Sequence, residues 1–449
     1  MKKVLILAYD FPPYVSVGGL RPRYWYENFK GMGLFPIIVT RNWNPIHGNA
    51  LDYIQPSKTK EVEIEETEKG ILIKAPYKAN LSNRLTLKDK KDPLSNLLKK
   101  TSTGWNEIGQ WFLPIGTKYE LYKAAKNFLK DNKVDVILAT GEPFILFKYA
   151  SKLSRKFNTP WVADYRDQWS QSASRRKGLF FKYFSPSLEK KYLKNVCFIS
   201  TVSEYLRFKI QEYVKNKPFV IIPNGYNENM IIENTINIQN NEVLTISLAG
   251  TIYNWHPCSY FLDLISNFLQ DNPNANFNIN FYGTNKENSI RELLENDEKL
   301  KKIITMYPKM SNDKLAMELA KSNILLLFND YSIMGTKIYD YLALNRKIIL
   351  CFEDDKEANL LKEKYFKFKS IKGLSESLQT DLIKKTNSGI IVKDSEHLYN
   401  ILKDLCNEFE EKSYIENHTI GAENYSRKVQ TEKLVNELKQ IENYDNQKL

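Results

Sequence analysis

The residues whose types and spacing best suit chemistry are Gly335, Thr336 and Lys337, followed three positions after the lysine by Asp340. A glycine lets a backbone approach a ligand closely, a threonine offers a hydroxyl and an amide, and a lysine brings a full positive charge to a phosphate. Asp340 shares a helical face with Lys337 and can accept hydrogen bonds from a ribose diol. The same four residues also suit an ordinary capped helix with an exposed Lys337–Asp340 ion pair, and a short motif alone does not choose between the two.

The elements that must position them are legible nearby. Residues 324–328 (ILLLF) and 347–351 (KIILC) are short apolar runs rich in β-formers, as expected of strands buried on both faces. Between them Thr336 is placed to cap a helix, with Ile338, Tyr341 and Leu342 on one face and Asn345 at a left-handed end. Strand, loop, helix and strand make a βαβ unit. In such a unit the loop lies at the carboxyl edge of the sheet, and the amides opening the helix favour a phosphate.

Two further groups have similar promise. Gly18 and Gly19 stand where a loop after the strand 4–8 enters a helix, with Arg21 and Arg23 beside them. They suit close approach to a phosphate or sugar, or a plain hinge with solvated arginines. No GxGxxG accompanies them, which weighs against a dinucleotide fold of the NAD type. The segment DYRDQW sets Asp164, Arg166, Asp167 and Trp169 just past the strand 161–163. Its carboxylates can orient sugar hydroxyls or take a proton and its arginine can neutralise a phosphate, or the group is a salt-bridge cluster bracing a loop.

With 449 residues the chain is too long for one core of ordinary size, so two domains are expected. Apolar residues at 42% and charged ones at 26% are a globular composition. The four cysteines, at 197, 258, 351 and 406, show no CxxC pairing, and three lie in or beside apolar runs. That suggests buried thiols in a reducing cytoplasm and argues against a disulfide or zinc framework. The opening MKKVLILAYD stops being apolar at Asp10 without a small-residue cleavage site, so it is taken as the first strand, and no apolar run approaches a membrane span. Charge is uneven: residues 1–225 have 38 Lys and Arg against 20 Asp and Glu, whereas the remainder has 27 against 33. A basic half suits an anionic surface or substrate.

Alternating apolar runs and helical periods continue along the chain. Strands are expected at 37–40, 70–76, 134–139, 197–202 and 220–222, then at 244–249, 277–281 and 303–307. Residues 77–115 are basic, aromatic and poorly periodic, and are expected to be a structureless insertion serving as a lid or docking arm. In 174–194 (SRRKGLFFKYFSPSLEKKYLK) basic residues interleave with aromatic ones, which suits an anionic membrane interface or a solvated helix packing its aromatics inward. The Pro-Asn-Gly turn at 223–225 is the best domain boundary. The expected organisation is a basic domain at 1–225, a linker at 226–241, a second domain at 242–420 and a charged amphipathic helix at 421–449 able to pack back on the first.

In this order the segments FPPxxxGGxR (11–21), VADYRDQW (162–169), TVSE (201–204), IPNG (222–225), AGTIY (249–253) and GTKIYDYLA (335–343) resemble the retaining glycosyltransferases of family 4 along nearly the whole chain. The resemblance implies an α/β chain with the GT-B fold, two doubly wound Rossmann-like domains with a cleft between them. It implies a hexosyl transfer from a nucleotide sugar to a glycan or lipid-linked acceptor, as in capsule, lipopolysaccharide or other cell-surface glycan synthesis. By that resemblance Gly18, Gly19 and Arg21 face the donor from the first domain. Gly250, Thr251, Gly335, Thr336 and Lys337 hold its diphosphate, and Asp340 replaces a glutamate that holds the ribose. Three departures stand out. Ser332 occupies the first acidic position of the E-x7-E pattern. Thr251 stands where a basic residue usually follows the glycine, with His256 as a replacement. Arg166, which cannot act as a base, stands where many relatives have a histidine.

Proton work then falls to Asp164, Asp167 or the departing phosphate, while Lys337 and Arg21 stabilise the leaving group. No DxD triplet occurs, so neither a metal nor another cofactor is expected, the nucleotide sugar being a substrate. The expected partners are that donor, the acceptor and an anionic membrane met by the basic half, with no nucleic acid, at a cytoplasmic, membrane-peripheral location. A nucleotide-sugar epimerase on the same fold and a polyanion-binding protein are the competing readings.

Overall fold

Nearly every apolar run of the sequence becomes a parallel strand. The computed structural model describes residues 1–44, 51–172, 179–230 and 238–442. Two units divide the chain, Met1–Pro223 with Thr431–Leu449 and Asn224–Gln430.

The first unit is built on eight strands: β1 (Lys2–Leu7), β2 (Leu34–Arg41), β3 (Glu63–Glu66), β4 (Ile71–Ala75), β5 (Val136–Gly141), β6 (Trp161–Tyr165), β7 (Ile199–Thr201) and β8 (Phe219–Ile221). Their order is β3-β4-β2-β1-β5-β6-β7-β8. All neighbours pair in parallel except the edge strand β3, which runs antiparallel to β4. Its helices include α1 (Leu20–Asn28), α2 (Leu81–Leu87), α3 (Pro93–Phe112), α4 (Tyr119–Asp131), α5 (Ile145–Phe157) and α6 (Leu179–Leu193). Leu5, Leu7, Ile37 and Ile137 pack into one core with α4 and α5, and Val4, Ile6, Ile38 and Val136 pack into another with α1. That second core also takes Leu434, Val435, Leu438 and Ile441 from in and after the helix Arg427–Lys439, which rejoins this unit after the whole of the other has been laid down.

The second unit has six strands, all parallel: β9 (Leu244–Ala249), β10 (Phe277–Tyr282), β11 (Ile304–Tyr307), β12 (Ile324–Phe328), β13 (Lys347–Cys351) and β14 (Gly389–Val392), in the order β11-β10-β9-β12-β13-β14. Strands β9, β12 and β13 are buried almost throughout, which is why they read as continuous apolar runs. At its start the chain is tied down by Gly225. A Cβ there would lie 2.7 Å from the Tyr425 carbonyl oxygen, and the next residue, Tyr226, accepts from the Arg427 amide at 2.8 Å.

Three expectations need correction, and one strand is new. Residues 77–115 hold two helices and not a structureless insertion: Asn80 Oδ1 accepts from the Asn83 amide to cap α2, and Asp92 Oδ1 accepts from the Ser95 amide to cap α3, each at 2.8 Å, with Pro93 in the first turn. Strand β6 continues to Tyr165, so Asp164 lies inside it and not past its end. Thr336 does occupy the cap position of the helix Lys337–Leu344, but its hydroxyl makes no capping bond; Asn345 ends that helix in the left-handed conformation (φ 48°, ψ 46°), as expected. The acidic edge strand β3 was not anticipated. Of the basic and aromatic segment at 174–194, residues 174–178 lie outside the described residues; Tyr183 and Phe184 on α6 are exposed.

Candidate functional site

In the second unit the carboxyl ends of β9 and β12 bring together residues that are distant in sequence. Gly250 follows β9 with φ +78°, a conformation that side chains rarely adopt, and a Cβ there would sit 3.2 Å from Lys337 Cε. Lys337, in the first turn of its helix, donates from Nζ to the Thr251 carbonyl oxygen at 2.6 Å. Burial lowers its ammonium pKa to about 8, with Asp330 pulling the other way. Gly250, Thr251 and Lys337 therefore form one contact group. Lys337 uses its charge on Thr251, not on Asp340.

Asp330, two residues past β12, is the organising group that sequence reasoning missed. Its Oδ1 lies 2.8 Å from His256 Nε2 and 3.4 Å from Trp255 Nε1, and its Oδ2 lies 3.7 Å from where a Gly335 Cβ would be. The Tyr253 amide donates to His256 Nδ1 at 3.2 Å, so Nε2 is the nitrogen that carries the proton toward Asp330. The Asp330 amide donates to Gln379 Oε1 at 2.7 Å, and Tyr331 follows in a left-handed conformation (φ 52°) with its amide bonded to Asn329 Oδ1 at 2.8 Å. The loop over Gly335 is thus pinned from three sides. His256 is buried and sits beneath this loop, while Thr251 is exposed. Ser332 is buried. Asp340 has its carboxyl raised to about 6 by burial, with Arg427 opposing the shift.

In the first unit the residues at the carboxyl edge form a different kind of group. The register puts Thr140, Asp164 and Ser200 in one row across β5, β6 and β7. Asp164 is fully buried there: Oδ1 accepts from Arg21 NH2 and from Ser200 Oγ, both at 2.8 Å, and Oδ2 accepts from Thr140 Oγ1 at 3.0 Å. Arg21 is buried as well and donates from NH1 to the Ile222 carbonyl oxygen at 2.8 Å.

Arg166 donates to the carbonyl oxygens of Gly18 at 2.7 Å and Gly141 at 2.9 Å. It ties the Gly18–Gly19 turn to the end of β5. Ser16 completes that turn, accepting from the Gly19 amide at 3.1 Å while donating to Asp10 Oδ2 at 2.8 Å. A Cβ at Gly18 would meet Asp10 Oδ2 at 2.8 Å, so a side chain there would have to displace the carboxylate that Ser16 holds. Burial raises the Asp10 carboxyl and lowers the Lys118 ammonium, two more groups that were not singled out in the sequence. Asp167 lies exposed beyond β6. Among the described residues no group of three or more His, Cys, Asp or Glu side chains is placed to hold a metal ion.

No protein-family model matches the chain, and no curated protein matches its sequence. Solved structures do. Sucrose-phosphate synthase from Thermosynechococcus elongatus superposes with a TM-score of 0.56 at 12% identity, over 98% of this chain and 95% of that one. WaaG, a glycosyltransferase involved in lipopolysaccharide biosynthesis, gives 0.53 at 12%, over 95% and 98%. HepE from Anabaena, solved in complex with UDP and glucose, gives 0.53 at 10%, over 98% and 100%. The chain has the GT-B fold. At such identities the likeness is one of fold. In this GT-B chain each unit contributes its own sheet, parallel but for the edge strand β3, and the expected doubly wound organisation of two Rossmann-like domains is present.

Proposed function

We propose that this GT-B chain is a glycosyltransferase that moves a hexosyl group from a nucleotide sugar to a glycan or lipid-linked acceptor, with retention, in the making of a cell-surface polysaccharide. The observation that carries the reading is Lys337 held against Thr251 and Gly250 at the start of a helix, with its charge beside an open glycine turn at Gly335. Support also comes from structural neighbours solved with UDP and glucose, with UDP-glucose, and with ADP and acarbose.

In the reaction the acceptor oxygen bonds to the anomeric carbon on the face that the diphosphate leaves. The bond from that carbon to the diphosphate oxygen breaks, its electron pair stays on that oxygen, and the acceptor proton goes there. Lys337 and the amides at Gly335 and Thr336 stabilise the charge that develops on the leaving group, and Gly250 gives the diphosphate room against the backbone. Asp340 accepts from the ribose diol; His256 and Asp330 hold the loop in place. In the first unit, Gly18 and Gly19 form a backbone turn at the carboxyl edge of its sheet. Asp164 keeps Arg21 in position, Arg166 clamps the Gly18 turn, and the exposed Asp167 meets an acceptor hydroxyl. No step calls for a metal. The basic first half meets an anionic bilayer that presents the acceptor, on its cytoplasmic face.

The test is a panel of nucleoside diphosphates and their sugars against the thermal midpoint, followed by transfer assays with the donor that stabilises. One nucleotide sugar is expected to raise the midpoint, and Lys337→Ala is expected to lower transfer by roughly 10²–10³-fold while the fold persists. If none stabilises the protein, or the variant transfers at the parental rate, the reading is lost.

A further inference from the structure

The strand order of the first unit changes direction between β1 and β5: from β1 the sheet grows one way through β2 and β4, and from β5 it grows the other way through β6, β7 and β8. Such a switch point leaves an opening outside the carboxyl ends of the two strands, where open α/β sheets bind their ligands. Tyr9 and Asp10 follow β1 at this place, Gly141 ends β5, and Glu142 comes next.

Asp10 is only half satisfied there. Its Oδ2 accepts from Ser16 Oγ at 2.8 Å, whereas Oδ1 is buried and, among the described residues, accepts from nothing. A carboxylate oxygen shut away without a donor is costly, so a native fold keeps one for a reason. Arg166 does not meet the need: it gives Nε to the Gly141 carbonyl and NH1 to the Gly18 carbonyl, and acts on Asp10 through its charge.

Lys118, the residue before α4, is the counterpart. Its side chain is half-buried with Nζ 5.4 Å from the centre of the Tyr9 ring, and among the described residues its ammonium has no hydrogen-bond or ion-pair partner. Each of Asp10 and Lys118 feels the other's charge, yet no ion pair joins them. Burial disfavours both charges, so both gain from a polar group placed between them. A hydroxyl suits that place, because it donates to one and accepts from the other. The neighbouring cation Arg41 is already committed: it donates to the carbonyl oxygens of Tyr53 at 2.6 Å and of Gln55, between the rings of Trp43 and Tyr77.

Aromatic faces stand around these charges. Tyr14, in the loop between Asp10 and Ser16, stacks on Trp43 with centroids 4.1 Å apart, and Tyr53 meets Tyr9 and Tyr14 edge-on at 5.5 and 5.7 Å. Tyr14 and Tyr53 are half-buried and lie within the field of Asp10. A few polar groups among aromatic faces make a small-ligand site. Asp10 and Glu142 both act on Lys118 and would repel an anion, which favours an uncharged ligand rich in hydroxyls.

We propose that the carboxyl edge between β1 and β5 binds an uncharged sugar ring, with one hydroxyl donating to Asp10 while it or its neighbour accepts from Lys118. The inference rests on the transferase reading only for the role of that sugar, which is the acceptor; the binding itself follows from the two charges and the rings around them.

Saturation-transfer NMR of the full chain with the methyl glycosides of glucose, galactose, mannose, N-acetylglucosamine and glucuronic acid is the test. At least one of the four uncharged glycosides is expected to bind. Asp10→Asn keeps an acceptor for Ser16, and Lys118→Met keeps the stem over Tyr9; each is expected to weaken binding about tenfold or more with the melting midpoint kept. Should Asp10→Asn unfold the chain, Lys118→Met alone decides. The proposal is overturned if no glycoside binds, if only the glucuronide does, or if the variants bind as the parental chain does. Binding lost in Lys337→Ala and kept in Asp10→Asn also overturns it, since the sugar then sits in the second unit. Stabilisation by a nucleotide sugar, measured on the same samples, keeps the two readings apart. A chain that binds the glycoside here but takes no donor loses the transferase reading and keeps this one, and the reverse result removes this one alone.

Discussion

Lys337 and Asp340 are both displaced from their ordinary titration range in the directions that disfavour charge: burial puts the lysine at about 8 and the aspartate at about 6. For Asp340, raised from its unfolded value, the favourable contribution to stability is complete below about pH 4 and is lost as pH rises through about 6. For Lys337, lowered from its own, stability rises with pH between about 8 and about 10.5. Between pH 6 and 8 both groups are charged at a cost that a bound diphosphate and ribose would offset. Affinity for a nucleotide sugar, whose diphosphate is ionised throughout, is therefore expected to peak in that window. Calorimetric titration across pH checks this: Asp340→Asn should flatten the acid limb, and a flat profile in the parental chain would detach both residues from binding. The Arg21–Asp164 pair leads to a different expectation. Removing one partner strands a buried charge, so Asp164→Ala should cost the fold about 3–5 kcal/mol in denaturant unfolding.

Among the elements, β12, β13 and the helix between them were legible because a strand buried on both faces has no choice but to be apolar. The loop at Gly335 was legible for the same reason: its flanks were fixed. Asp330 was not, since its importance comes from His256, 74 residues away in sequence, and no local pattern encodes that pairing. The row Thr140–Asp164–Ser200 likewise exists only once three strands are in register. Helix α3 went unread for a further reason. Its apolar period is present, but with Ser95, Gly109 and Gln110 facing inward it contradicts the assumption that the apolar side is the packed one. Strand β3, four exposed residues at a sheet edge, has one apolar residue, Ile64, among three glutamates, too little for a strand signal; the Thr67–Gly70 turn returns it to β4. At this scale Gly225 is the sharpest test. Its absent Cβ leaves room for the Tyr425 carbonyl and the Arg427 amide, so Gly225→Val should lower stability by about 1–3 kcal/mol through overpacking, read as a lower midpoint in urea.

For the molecule as a whole, the division into two units has an uneven consequence for cutting the chain. Residues 224–430 contain a complete six-stranded sheet with its own cores and are expected to fold when expressed alone. Residues 1–223 alone lack Leu434, Val435, Leu438 and Ile441, each contributing roughly 1.5–3 kcal/mol of burial. That fragment is expected to melt well below the intact chain or to bind a hydrophobic dye, and adding 431–442 through a short linker should restore it. Equal midpoints with and without the helix would show that its packing is dispensable.

The same arrangement bears on how the protein is made. Residues 1–223 emerge from the ribosome first, yet the face of their sheet that α1 covers in part lacks Leu434, Val435, Leu438 and Ile441 while roughly 200 further residues are synthesised, a wait on the order of 10–40 s at ordinary elongation rates. During that interval Trp25, Phe29 and their neighbours are open to chaperones or to aggregation. The later-made unit, self-sufficient in its core, is then the first to finish folding.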